Sequence, residues 1–143
     1  MISYPVSFHG LSEASSGIKN EWKVISSGLA STCSVPKEFE GSGGAFSPED
    51  FFLLSLQNCF VATFKVFAEY SRLSFDKLNV TGELIVDKNE NLKPIMKACK
   101  LIIELTNPSD KKKAELLIKK TLENGFILQS VKTEIITETF YRE

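Results

Sequence analysis

The sequence predicts an α+β fold in a single domain spanning residues 1–143. Three observations carry that expectation. With 143 residues, 43% of them apolar, the chain is long enough for one real core and too short for two comfortable ones. Stretches of period-2 alternation flank two stretches with helical signals. The order is three short strands, a long helix, two strands, a helix and a last strand. That order differs from the regular βαβ alternation of a nucleotide-binding sheet, and no Gly-rich phosphate loop follows any strand.

The first three strands are expected in "SYPVSFHG", which alternates, in "NEWKVIS", and in "LASTCSVP", which Pro36 ends. The glycines and prolines of "PKEFEGSGGAFSPED" mark a loop. Within it Ser47-Pro48-Glu49-Asp50 reads as a helix start. Ser47 sits at the N-cap, Pro48 at the first position, and Glu49 and Asp50 face the positive end of the dipole. The helix is expected to run to about Ser71. Asn58, Lys65 and Glu69 fall on one narrow side with Ser55 close by, and nearly everything else is apolar. Such a helix is expected to be buried on most of its circumference. One small sheet does not easily cover it, which favours a second layer or a partner subunit.

"KLNVTGELIVDKN" and "KPIMKACKLIIELTN" are the next strands. "SDKKKAELLIKKTLENG" is an amphipathic helix with Ser109 as N-cap and Gly125 as its stop. "SVKTEIITETFYRE" is the last strand.

Composition excludes several functions. The formal net charge of -1 gives no footprint for nucleic acid or an anionic membrane. Lys111-Lys112-Lys113 is expected to be a solvated helix start. "MISYPVSFHG" lacks the basic, apolar and small-residue sequence of a signal peptide. Ser55, Gln57, Asn58, Thr63, Lys65 and Glu69 make residues 51–70 too polar for a membrane span. A soluble cytoplasmic protein is the default expectation. Cys33, Cys59 and Cys99 form no CxxC pair and no disulfide scaffold. With His9 as the one histidine, a zinc site or a Cys-His dyad is not expected, and no cofactor or metal is implied.

"GGAFSPEDFFLLSLQNCF" resembles the Gly-Gly, Pro-Glu, Leu-rich, Cys signature of the OsmC/Ohr family, and the likeness extends to "SVKTEI". The resemblance implies antiparallel sheets with a long buried central helix and a second, C-terminal helix, in an intertwined homodimer. It implies a thiol-dependent peroxidase acting on organic hydroperoxides in oxidative stress defence. Cys59 takes the peroxidatic position and Glu49 the position of the glutamate that holds an arginine beside the thiolate. Two departures stand out. The resolving position falls near Asn124-Gly125, where there is no cysteine. The N-terminal arginine is also missing, because the arginines are Arg72 and Arg142. Lys19 or Lys23 supplies charge there only as a hydrated point, not as a planar fork.

A peroxidatic cysteine must be ionised near neutral pH, whereas a free one has a pKa of about 8.5. Position 59 lies too deep in its helix for the dipole to help. It needs a nearby cation or hydroxyl, and Ser55 and Thr63, one turn to either side, are the candidate donors. Glu49 stands ten residues earlier, about 15 Å along an unbroken helix, so it acts only through a long cation or from a partner subunit. Phe51, Phe52, Phe60, Phe64 and Phe67 are core or interface residues that also suit a small apolar peroxide or lipid-like ligand. Cys99 shares a core face with Leu101, Ile103 and Leu105. Cys33 reads as structural, with resolution of Cys59 as its alternative role, an external thiol reductant being the first choice. The competing functional expectation is a non-catalytic dimer of the same fold that binds an apolar ligand. A hydrolase with Cys59 as acyl nucleophile lacks a histidine base.

Overall fold

Local signals set the long helix. The Ser47 hydroxyl accepts from the Asp50 amide at 3.0 Å, and the Asp50 carboxylate accepts from the Ser47 amide at 2.9 Å. This reciprocal cap satisfies two amides that a helix start leaves free. From it α1 runs unbroken over Pro48–Tyr70. The computed structural model describes residues 2–143.

The chain forms two compact units, the first ending at Phe51 and the second covering Phe52–Glu143. The first unit contains an antiparallel sheet of β1 (Gly10–Glu13), β2 (Trp22–Ser26) and β3 (Leu29–Cys33). β2 and β3 are joined by Ser27 and Gly28, both at positive φ (53° and 74°), as a two-residue hairpin turn requires. The first strand is displaced from its expected place. Residues 4–9 alternate but pair with no strand among the described residues, whereas Gly10–Glu13 pair with Lys23–Ser26. Pairing, not alternation, decides where a strand begins.

The second unit holds β4 (Lys77–Lys88), β5 (Pro94–Thr106), α2 (Lys111–Asn124) and β6 (Glu134–Arg142), in sheet order β4-β5-β6. β4 and β5 are antiparallel, but β5 and β6 are parallel, so the expectation of antiparallel sheets holds for all but this pair. The reason is the α2 crossover, which carries the chain back before β6 begins. The helix starts at Asp110, not Ser109. The Asp110 carboxylate accepts from the Lys113 amide, while the Ser109 hydroxyl accepts from the Ser74 amide.

From Cys99 on, every second residue of β5 faces the core. Cys99, Leu101, Ile103 and Leu105 are fully buried, as expected of that face. α1 contributes Leu56, Cys59, Phe60, Phe64 and Ala68, and α2 contributes Ala114, Leu117, Ile118 and Thr121. Each fully buried Phe or Leu adds roughly 1.5–3 kcal/mol.

The expected burial of α1 is met along one stripe of the helix. One stripe is buried, while Asn58, Lys65, Val66, Glu69 and Tyr70 are exposed. Within the second unit the sheet and α2 take up one face of the helix. α1 is also long and apolar enough to cross a membrane by length and composition, contrary to the sequence expectation. Its packed stripe is that of a core helix.

Candidate functional site

Cys59 lies on the buried stripe of α1, 9% exposed, in a cluster with Leu56, Phe60, Phe64, Leu117 and Leu128. The stripe places it there: residues 56, 60 and 64 recur one turn apart, and 59 falls beside them. It packs against Gly125. A Cβ built on Gly125 would stand 3.0 Å from Cys59 Sγ, 3.0 Å from Leu128 Cδ1 and 3.2 Å from the Thr121 carbonyl oxygen. Gly125 does end α2, but its φ of -62° is not the left-handed cap expected of a terminal glycine. Close packing against the thiol, the Leu128 side chain and the Thr121 carbonyl leaves little room for a side chain there. The run "LENG" reads as a helix stop in the sequence, and the resemblance alone placed this segment opposite Cys59.

The hydroxyl expected to assist Cys59 is occupied elsewhere. Ser55 donates to the Phe52 carbonyl at 2.7 Å, because a helical serine reaches its own preceding turn first. Thr63 is half-buried on the following turn. Arg72 is exposed beyond the end of α1, and Arg142 pairs with Glu104 at 3.5 Å.

Glu49 is half-buried in the first turn of α1. No ion pair involves it among the described residues. Its charge bears on Cys33, at the end of β3 and 3% exposed. Burial pushes the Cys33 thiol up, and the Glu49 and Asp50 charges add to that; the Ser34 amide, which favours the thiolate, opposes it. Burial likewise raises Cys99. Lys19 Nζ donates to the Gly41 carbonyl at 3.4 Å. Lys23 is exposed in β2, opposite Thr32 on β3 and Glu13 on β1. His9 is exposed, and its carbonyl accepts from the Ser26 hydroxyl.

The aromatic residues divide. Phe60 and Phe64 are fully buried and stacked, with centroids 6.0 Å apart. Phe52 and Phe67 pack at the edge of that core. Phe51 is 37% exposed and lies 5.2 Å from the Phe46 ring. With Leu11, Val24, Ile25 and Leu29 it lines an open groove of about 390 Å³ within the first unit. Two lysines of the expected solvated run have partners. Lys111 lies over the Tyr141 ring, and Lys113 donates to the Ser71 carbonyl at 3.0 Å.

A family model described as "OsmC-like protein" matches residues 41–139, a span containing Glu49, Cys59 and Gly125. No curated protein matches the chain. Solved structures do. An OsmC-like protein of unknown function from Vibrio cholerae is 19% identical, with a TM-score of 0.77 over 94% of this chain and 99% of its own. An organic hydroperoxide resistance protein OsmC from Legionella pneumophila is 18% identical, with a TM-score of 0.75 over 99% of this chain and 100% of its own. An organic hydroperoxide resistance protein from Elizabethkingia anophelis is 15% identical, with a TM-score of 0.74 over 99% of both chains. At these identities the structures speak for the fold. The family rests on the matched model and on the Gly-Gly, Pro-Glu and Cys59 pattern within it, and the chain belongs to the OsmC-like protein family.

Proposed function

We propose that this protein is a thiol-dependent peroxidase that reduces organic hydroperoxides through Cys59, in cytoplasmic defence against oxidative stress. The observation that carries the reading is the free thiol of Cys59, set among apolar side chains and against the bare backbone of Gly125. The Cys59 thiolate attacks the terminal peroxide oxygen. An S–O bond forms, the O–O bond breaks, and the alkoxide leaves and takes a proton to become the alcohol. The sulfur is thereby oxidised to a sulfenic acid, which an external thiol resolves. Glu49 is assigned as a positioning residue that acts through a cation of a second copy in a homodimer. A reducing compartment fits the three free cysteines.

Ser55 donating to Phe52, and Glu49 with no ion pair among the described residues, favour a second reading. In it the same dimer binds an apolar, lipid-like ligand without turnover. Stopped-flow mixing with cumene hydroperoxide separates the two. The peroxidase reading expects consumption by wild type and none above background by Cys59→Ser. Equal consumption by both proteins sinks it.

A further inference from the structure

β6 borders a cavity that the chemistry of Cys59 does not use. The strand pairs with β5 along one edge, and Ile135 and Thr137, two residues apart, turn to the same half-buried face. Leu122 comes from the last turn of α2, and Leu128 and Gln129 from the single helical turn Leu128–Ser130. Together these five side chains line a cavity of about 190 Å³.

The lining selects a ligand. It carries no charged side chain, so an ionic ligand would lose its water without gaining a partner. Leu122, Leu128 and Ile135 form an apolar wall, and two polar groups remain. The Gln129 side-chain amide donates to the Leu122 carbonyl at 2.8 Å, which fixes Gln129 and leaves its oxygen to accept. The hydroxyls of Thr121 and Thr133 are spent on the Leu117 and Met96 carbonyls, whereas that of Thr137 has no protein partner among the described residues. A ligand hydroxyl answers both groups, since it donates to the Gln129 oxygen and accepts from Thr137. Size sets the rest. A dry apolar cavity of about 150 Å³ holds one benzene ring, so this one takes a ring with about two further heavy atoms. A lipid-like chain does not fit.

We propose that this cavity binds a compact alcohol, an aromatic ring or branched alkyl group whose one hydroxyl is held by Thr137 and Gln129. Leu128 belongs both to the cavity wall and to the core cluster that contains Cys59. An alcohol is also what Cys59 releases from an organic hydroperoxide, so the occupant is a product of the reaction, held one side chain away from the thiol. That identification rests on the peroxidase reading, whereas the binding does not.

Benzyl alcohol is the probe. It is titrated into protein with isotope-labelled leucine and isoleucine methyl groups and followed by NMR. Saturable shifts at Leu122, Leu128 and Ile135 are expected, with a dissociation constant of roughly 1–10 mM. Thr137→Val keeps the shape and the strand preference but loses the hydroxyl, and is expected to weaken binding about fivefold. Thr137→Ser keeps the hydroxyl and is expected to stay within about twofold of wild type. Leu122→Phe fills the cavity and is expected to abolish the shifts. If that variant does not fold, the two Thr137 variants still decide.

Shifts that never saturate, or that are as large at the exposed Leu29 and Leu116 as in the cavity, overturn the proposal. So does Thr137→Val binding as tightly as wild type, or decanol shifting the same methyl groups at lower concentration than benzyl alcohol. Binding by a protein that consumes no hydroperoxide supports the site and overturns only its identification as a product site.

Discussion

Cys99 has none of its surface exposed, and burial raises its thiol above the ordinary range. An acid whose folded pKa is raised loses its proton first in the unfolded chain. The unfolded state then binds fewer protons, so stability falls as pH rises. The contribution is complete below the unfolded value of about 8.5 and is lost above it. Cys33 acts with the same sign, through burial reinforced by Glu49 and Asp50. Melting temperature is expected to be level up to about pH 8.5 and to fall between there and pH 10, with a shallower slope in Cys99→Ala. Comparing slopes removes the separate cost of the cavity left by the lost sulfur. An equal slope in the variant would assign the alkaline loss to other groups. At this scale the sequence was only partly legible. The alternation of "CKLIIEL" placed Cys99 in the core. "LENG" by itself shows only a helix stop, and it was the family resemblance that placed Asn124-Gly125 near Cys59; the close approach of Gly125 to the sulfur is a tertiary fact.

Helix starts were more legible, because a cap is a local bargain between neighbours. Ser47 and Asp50 exchange hydrogen bonds over three residues, and the sequence displays both partners. Ser47→Ala is expected to cost about 1 kcal/mol, seen as a lower urea midpoint with an unchanged slope. No loss would mean that the flanking loop, not the cap, sets the start of α1. Where two candidate caps adjoin, local reasoning fails. Ser109 is drawn off by the Ser74 amide, 35 residues away, and Asp110 takes its place. Strand existence was legible from β2 through β6, but the first strand was not. Its position follows from the residues of β2 that need partners. The parallel pairing of β5 and β6 was equally hidden, since alternation carries no direction.

The first unit's sheet is almost wholly exposed. All of β1 is open, and β3 buries only Cys33. Leu11 at 55% and Leu29 at 75% exposure line the open groove with Phe51. In the second unit Val66 and Tyr70 of α1 are open as well. A three-stranded sheet needs a covered apolar face to persist, and the second copy of the proposed homodimer would supply cover of the same chemistry. Light scattering at micromolar concentration is expected to give about twice the chain mass of 16.0 kDa; a monomer would refute the dimer. The parallel β5–β6 pair bears on the order in which the second unit assembles. The β4–β5 hairpin closes through a short turn in which the Asn89 side chain accepts from the Asn91 and Lys93 amides. β6 pairs only after α2 has been made and has crossed back, and non-local parallel pairing is slow. During synthesis, then, one edge of β5 stays bare until residues 134–142 have emerged. Until then the nascent chain carries its most apolar strand with one edge open to other chains.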